Sequence, residues 1–235
     1  MIFYGKTLRV NLVFTYLLFT ILSCSKNTMP TKSFDWNAST FTQNGYTLNW
    51  QTNDVNFDVG VKKQLVETFF TVYPALAKDF NPNVSKTVLF WVDTAYKGVA
   101  ATSGSQVVYN PKWFVQHPKD IDVVTHEVMH IIQGYPSYNP WWLVEGIADY
   151  VRYKYGVANA EGGWSLPAVT SNQKYNNGYR ITARFLVWCE KKKTGSVKQF
   201  DSALRSNTYT PQLWNSIFEK NVDNLWDECL ANPAI

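Results

Sequence analysis

The stretch THEVMHIIQG, Thr125 to Gly134, holds two of the chain's three histidines, His126 and His130, with Glu127 directly after the first. Residues four apart on an α-helix stand one turn above another, so both imidazoles project from one face and can converge on one ion. Histidine nitrogens suit a tetrahedral zinc site, with bonds of about 2.0–2.1 Å. Glu127 points about 100° further round the helix. That makes it an unnatural ligand but puts it within reach of a water beside the metal. The competing reading treats both histidines as ordinary core residues, because a bare HExxH pattern also arises outside enzymes.

A catalytic zinc site needs a third protein ligand and an open position for water. Immediately downstream lies NPWWLVEGIADYVRYKYG, residues 139–156, where Trp142, Ile147 and Val151 mark a helix with Glu145 in its first turns. Glu145 and Asp149 are again four apart and share a face. The natural assignment makes Glu145 the third ligand. Asp149 then accepts a hydrogen bond from the second nitrogen of a ligand histidine, fixing its tautomer and raising its basicity. A metzincin would carry glycine three residues and histidine six residues after the second histidine; Gln133 and Pro136 occupy those positions and exclude that class. His117, in QHPK, reads as a surface loop residue.

Around this centre the pattern predicts one α+β domain over residues 41–235, with a small sheet first and a helical lobe after it. FTQNGYTLNWQ reads as an early strand or hairpin. Val61, Leu65, Phe69, Val72 and Leu76 recur at helical spacing, which predicts a helix over 58–78. KTVLFWVD, 86–93, is a buried strand by its apolar and β-branched content. A glycine-bearing loop, GVAATSGS, precedes a short strand at 106–109. Helices are expected at about 119–133, 140–154, 175–193, 195–206 and 211–219, punctuated by Pro111, Pro118, Pro136, Pro140 and Pro211. No internal repeat is present.

With VVTHEVMHIIQGYP, WWLVEGIADYVRYKYG and NNGYRITARFLVWCEKK in this order, the chain resembles the basic secretory protein family, peptidases of plants and bacteria, over roughly residues 55–210. The first two blocks also resemble the wider gluzincin group of metallopeptidases, whose third ligand is a glutamate. The resemblance implies a zincin-like fold: an N-terminal twisted mixed sheet whose edge strand lines the cleft, an active-site helix, and a C-terminal helical lobe. It also implies Zn2+ held by His126, His130 and Glu145, with Glu127 as general base and Asp149 behind the ligands. The activity implied is hydrolysis of peptide or protein substrates, read here as endopeptidase. In such an architecture a tyrosine or histidine of the C-terminal lobe stabilises the oxyanion; Tyr179, in GYRITARF, is the first choice, followed by Tyr175 and Tyr150. The strand at 106–109 is expected at the cleft edge, where an extended peptide can add. An alternative keeps the scaffold as a non-catalytic binding module for surface glycan or protein, but an intact Glu127 argues against it.

The resemblance stops short of the N-terminus. MIFYGKTLRVNLVFTYLLFTILSCSKN has a basic start at Lys6 and Arg9 and a short apolar run, the pattern of an export signal over residues 1–23. ILSC, Ile21 to Cys24, looks like a lipobox, in which Cys24 becomes a lipid anchor to the membrane and residues 24–40 a flexible tether. The protein is therefore expected outside the cytoplasm. The formal charge of +4 falls to about +2 once Lys6 and Arg9 are removed, too little to argue for nucleic acid. Aromatics, at 16%, are assigned to the core. Cys189 and Cys229 remain, either pairing between two helices or as two buried thiols. Globomycin treatment of a bacterium expressing the chain is expected to change its electrophoretic mobility; unchanged mobility would rule out lipidation.

Overall fold

The computed structural model describes residues 39–235. The expected export segment, Cys24 and the expected tether up to residue 38 lie outside the described residues. β1 (Ser39–Gln43) takes up the last two residues of the expected tether. Asn44 and Gly45, both at positive φ (52° and 78°), turn the chain into β2 (Tyr46–Thr52). Asn-Gly is the pair that a two-residue hairpin needs, since both central residues must be left-handed.

The long helix α1 (Val59–Phe80) begins at Asp58, whose carboxylate accepts the Val61 N–H at 2.8 Å. It crosses over to β3 (Thr87–Val92), which lies parallel to β2. β4 (Ala100–Ser103) and β5 (Gln106–Tyr109) form a second hairpin, and β5 runs parallel to β3. The order β1-β2-β3-β5-β4 makes a five-stranded mixed sheet. The five apolar positions of α1 that the periodicity singled out are all buried, together with Trp50, Val88 and Phe90 of the sheet. Each such side chain contributes about 1.5–3 kcal/mol by leaving water.

Two expectations about this region change. The edge strand is β4, not 106–109, which pairs on both sides. Residues 100–103 lie in the stretch read as a loop, because Ala, Ala, Thr and Ser carry too little apolar surface to show a strand period.

The rest of the chain is helical. α2 (Pro111–Gln116) was not foreseen; Asn110 caps it by accepting the Lys112 N–H. α3 (Val123–Gln133) starts later than residue 119 because Asp120 and Asp122 are engaged elsewhere. The Asp120 carboxylate receives Trp113 Nε1–H and pairs with Arg152. Asp122 accepts Thr125 Oγ1–H, Val157 N–H and Ala158 N–H. α4 (Trp141–Tyr155) follows, and the expected helix over 175–193 divides into a 3-10 turn at Tyr175–Asn177 and α5 (Tyr179–Lys192), parted by Gly178 at φ 78°. α6 (Ser196–Arg205), α7 (Gln212–Phe218) and α8 (Val222–Ala231), whose bounds were not foreseen, complete the lobe. Among the described residues no helix is long and apolar enough to cross a membrane.

α4 and α5 pack closely at Gly146. A Cβ there would stand 2.7 Å from Thr182 Cβ and nearer still to its Cγ2. Thr182 cannot turn away freely, because its hydroxyl donates to Tyr175 O and accepts the Gly178 N–H. Gly146→Ala gains about 1 kcal/mol of helix propensity, yet overpacking a filled core costs about 1–3 kcal/mol. Urea unfolding is therefore expected to show net destabilisation.

Candidate metal centre

α3 carries the motif into the interior. Every residue of this helix except His130 is buried, as expected of a helix that is apolar nearly all round. Its polar side chains must therefore be satisfied locally. His126 Nδ1 lies 2.7 Å from Asp149 Oδ1 on α4. His130 Nδ1 lies 2.7 Å from Gln133 Oε1, and the Gln133 amide is oriented by its Nε2–H donating to Val144 O at 2.9 Å. Both acceptors are oxygens without a proton to give, so each Nδ1 carries the hydrogen and each Nε2 presents a lone pair.

Those two Nε2 atoms face each other at 3.2 Å. Glu145 Oε2 points at both, 3.2 Å from His126 and 3.6 Å from His130, and is buried without a hydrogen-bond donor. The three atoms lie within 4.8 Å of one another. Three converging lone pairs repel unless a cation stands among them, and two imidazoles with a carboxylate are a donor set that zinc accepts. Electrostatics agree. Burial alone would lower the His126 pKa, but Asp149, Glu145 and Glu127 outweigh it and hold the ring well above its ordinary value. Burial would raise the Glu145 pKa, but its histidine contacts hold it below the carboxylate range. Without a metal, the surrounding anions place a proton where the cation would sit.

Glu127 lies on the adjoining face of α3. Thr102, on the edge strand β4, donates its hydroxyl to Glu127 Oε2 at 2.7 Å and to Glu127 O at 2.9 Å. Tyr179 stacks on His126, with centroids 6.2 Å apart and planes 17° from parallel, and is half exposed. Its φ of 47° is left-handed, which costs a bulky residue of the order of 1–3 kcal/mol. Gly178 permits this corner, because a Cβ there would stand 2.7 Å from Trp141 Cη2 and nearer to Cζ3.

The other tyrosine candidates are not brought to the site. Tyr150 lines a cavity of about 290 Å³ with Lys154, Glu190 and Lys198, and the Tyr175 hydroxyl faces Asp223. His117 is exposed and stacks on Trp113. Cys189 and Cys229 are both free and buried.

Three residues near the candidate ligands escaped the sequence reading. Gln133 served only to exclude a class, although its spacing three residues after His130 places it on the same face. Thr102 carried no signal, since its strand did not register. Tyr138 donates its hydroxyl to Glu145 Oε1, and its only mark was a tyrosine between two ligand blocks.

Comparison with known proteins gives a family and a fold. A family model described as "peptidase of plants and bacteria" matches residues 44–229. The comparison with curated proteins found no match. Among solved structures the chain is similar to a mutant two-domain M1 zinc metallopeptidase bound to L-tryptophan. Identity is 9% and the TM-score 0.51, over 84% of this chain and 52% of that one. An M1 zinc metallopeptidase from Deinococcus radiodurans also matches, at 9% identity and a TM-score of 0.45, over 81% and 49%. The chain thus spans about half the length of these structures.

The raised pKa of His126 couples protonation to folding. Its contribution to stability is fully present below about pH 6.5, the unfolded value, and is lost as pH rises through the folded value. Chelator-treated protein is expected to melt progressively lower above about pH 6.5, and less steeply so in Asp149→Asn. Equal slopes in parent and variant would contradict this.

Proposed function

This chain belongs to the family of peptidases of plants and bacteria, and from that premise we propose that it is a zinc-dependent endopeptidase. One observation carries the reading: His126 Nε2, His130 Nε2 and Glu145 Oε2 converge while Glu127, the next side chain round α3, is already held by a donor. Bound at these three atoms, zinc would supply Lewis acidity and lower the pKa of a water toward about 7.

The protein's own groups do the rest. Glu127 takes the proton of the attacking water and returns it to the leaving amine, a role worth about 10²–10⁴-fold in rate. Thr102 holds one oxygen of Glu127 through its hydroxyl, which leaves the other to face the water and fixes its direction. Asp149 and Gln133 hold the two imidazoles in the Nε2-lone-pair tautomer that ligation requires. Tyr179, beside His126 on the open side, offers its hydroxyl to the developing oxyanion. Burial and the nearby carboxylates raise its pKa, so the phenol keeps its proton at neutral pH.

The free side of β4 supports an extended peptide as substrate. It is an outer strand of the sheet and carries Thr102 to the base, so a peptide adding along it by main-chain hydrogen bonds passes beside the site. The export segment and Cys24 would place this activity outside the cytoplasm, tethered to a membrane when lipidated.

The purified protein is expected to contain about one zinc per chain, to cleave peptides from a proteome-derived library, and to stop on chelation. Glu127→Gln should keep its zinc and lose about 10²–10⁴-fold in kcat; a variant as active as the parent sinks the mechanism. Thr102→Val should lower kcat with zinc content unchanged, and Thr102→Ser should restore it. Tyr179→Phe tests the oxyanion role: kcat within about twofold of the parent would remove Tyr179 from the mechanism.

A further inference from the structure

The two oxygens of Glu145 have different surroundings. Oε2 faces both histidine Nε2 atoms and receives no hydrogen bond. Oε1 accepts the hydroxyl of Tyr138. Tyr138 stands on the connection between α3 and α4 with 57% of its surface exposed, so burial does not confine its ring. Its contact with the carboxylate is therefore a specific one.

We infer that Tyr138 is a positioning residue that commits Glu145 to metal ligation through a single oxygen. This rests on the metal reading above. Zinc bound by two imidazoles and both oxygens of a carboxylate would have four protein contacts, so that a water could join only as a fifth ligand. An oxygen already accepting a phenol proton is a poorer metal donor, and it is also turned to a fixed direction. Tyr138 thus keeps the fourth position open by occupying Oε1, as Asp149 and Gln133 fix the imidazoles from behind. The three ligands then have three distinct supports: a carboxylate on α4, an amide on α3 and a phenol on the loop between them.

The test uses the full chain loaded with cobalt(II) in place of zinc, because four-coordinate cobalt absorbs visible light more strongly than five-coordinate cobalt. Tyr138→Phe is expected to lose absorption intensity as Oε1 joins the metal. It should also shift zinc affinity, measured against a chromophoric chelator, by about 10- to 100-fold, the usual effect of removing a ligand's support. Tyr138→Leu, which removes the ring as well, should give the same spectrum as Tyr138→Phe. An unchanged spectrum in Tyr138→Phe overturns the inference, and so does a change seen only in Tyr138→Leu, which would assign the effect to ring packing. A fall in kcat with an unaltered cobalt spectrum also overturns it, by assigning the phenol to substrate. A parent chain that takes up no cobalt or zinc overturns the metal reading itself.

Discussion

A buried helix bearing two histidines, a glutamate and a glutamine must find a partner for each of their polar atoms, and the rest of the molecule is arranged round that demand. An unsatisfied polar group in the interior costs about 1–3 kcal/mol, enough to matter against a total stability of about 5–15 kcal/mol. α4 answers most of it. Asp149 takes the Nδ1 hydrogen of His126, the Val144 carbonyl takes the amide hydrogen of Gln133, and Glu145 comes to face both imidazoles. β4 answers the remainder through Thr102. What these contacts leave unanswered is the convergence of three lone pairs, a geometry that a cation fits.

Much of this was legible in the chain. His126 and His130 at one-turn spacing, and Glu145 and Asp149 at the same spacing on a second apolar helix, describe two faces that can meet. The geometry of an α-helix is regular enough for spacing alone to assign a face. The Asn44-Gly45 turn and the periodic run in α1 were readable for the same reason: each is a local rule that needs no distant partner. α8 could have been found too, since Asn221 caps it by accepting the Asn224 N–H, and Leu225, Trp226 and Cys229 lie along one buried side.

What was not legible depends on contacts between segments far apart in sequence. Residues 100–103 are a strand because β5 pairs with them, not because their side chains prefer one. Thr102 meets Glu127 across 25 positions, and nothing local marks it. α3 starts at Val123 because Asp120 and Asp122 are drawn to Arg152 and to residues 157–158, beyond the far end of α4. The corner at Gly178 and Tyr179 forms against the Trp141 ring, a contact between α4 and the start of α5.

The ties made by Asp122 and Gln133 lie at opposite ends of α3. Asp122 hooks the start of that helix to the segment after α4, and Gln133 hooks its end to the first turn of α4. The two helices are thus latched like a box with two clasps, and relative sliding would break hydrogen bonds at both. Adaptation to different ligands must then come from the opposite wall, the small-residue outer strand β4, and from the exposed rings of Tyr138, Trp141 and Tyr179. For protein engineering this separates two kinds of position. The side chain at Ala100, on the same face of β4 as Thr102, can be exchanged to reshape that wall while the latched pair stays as it is.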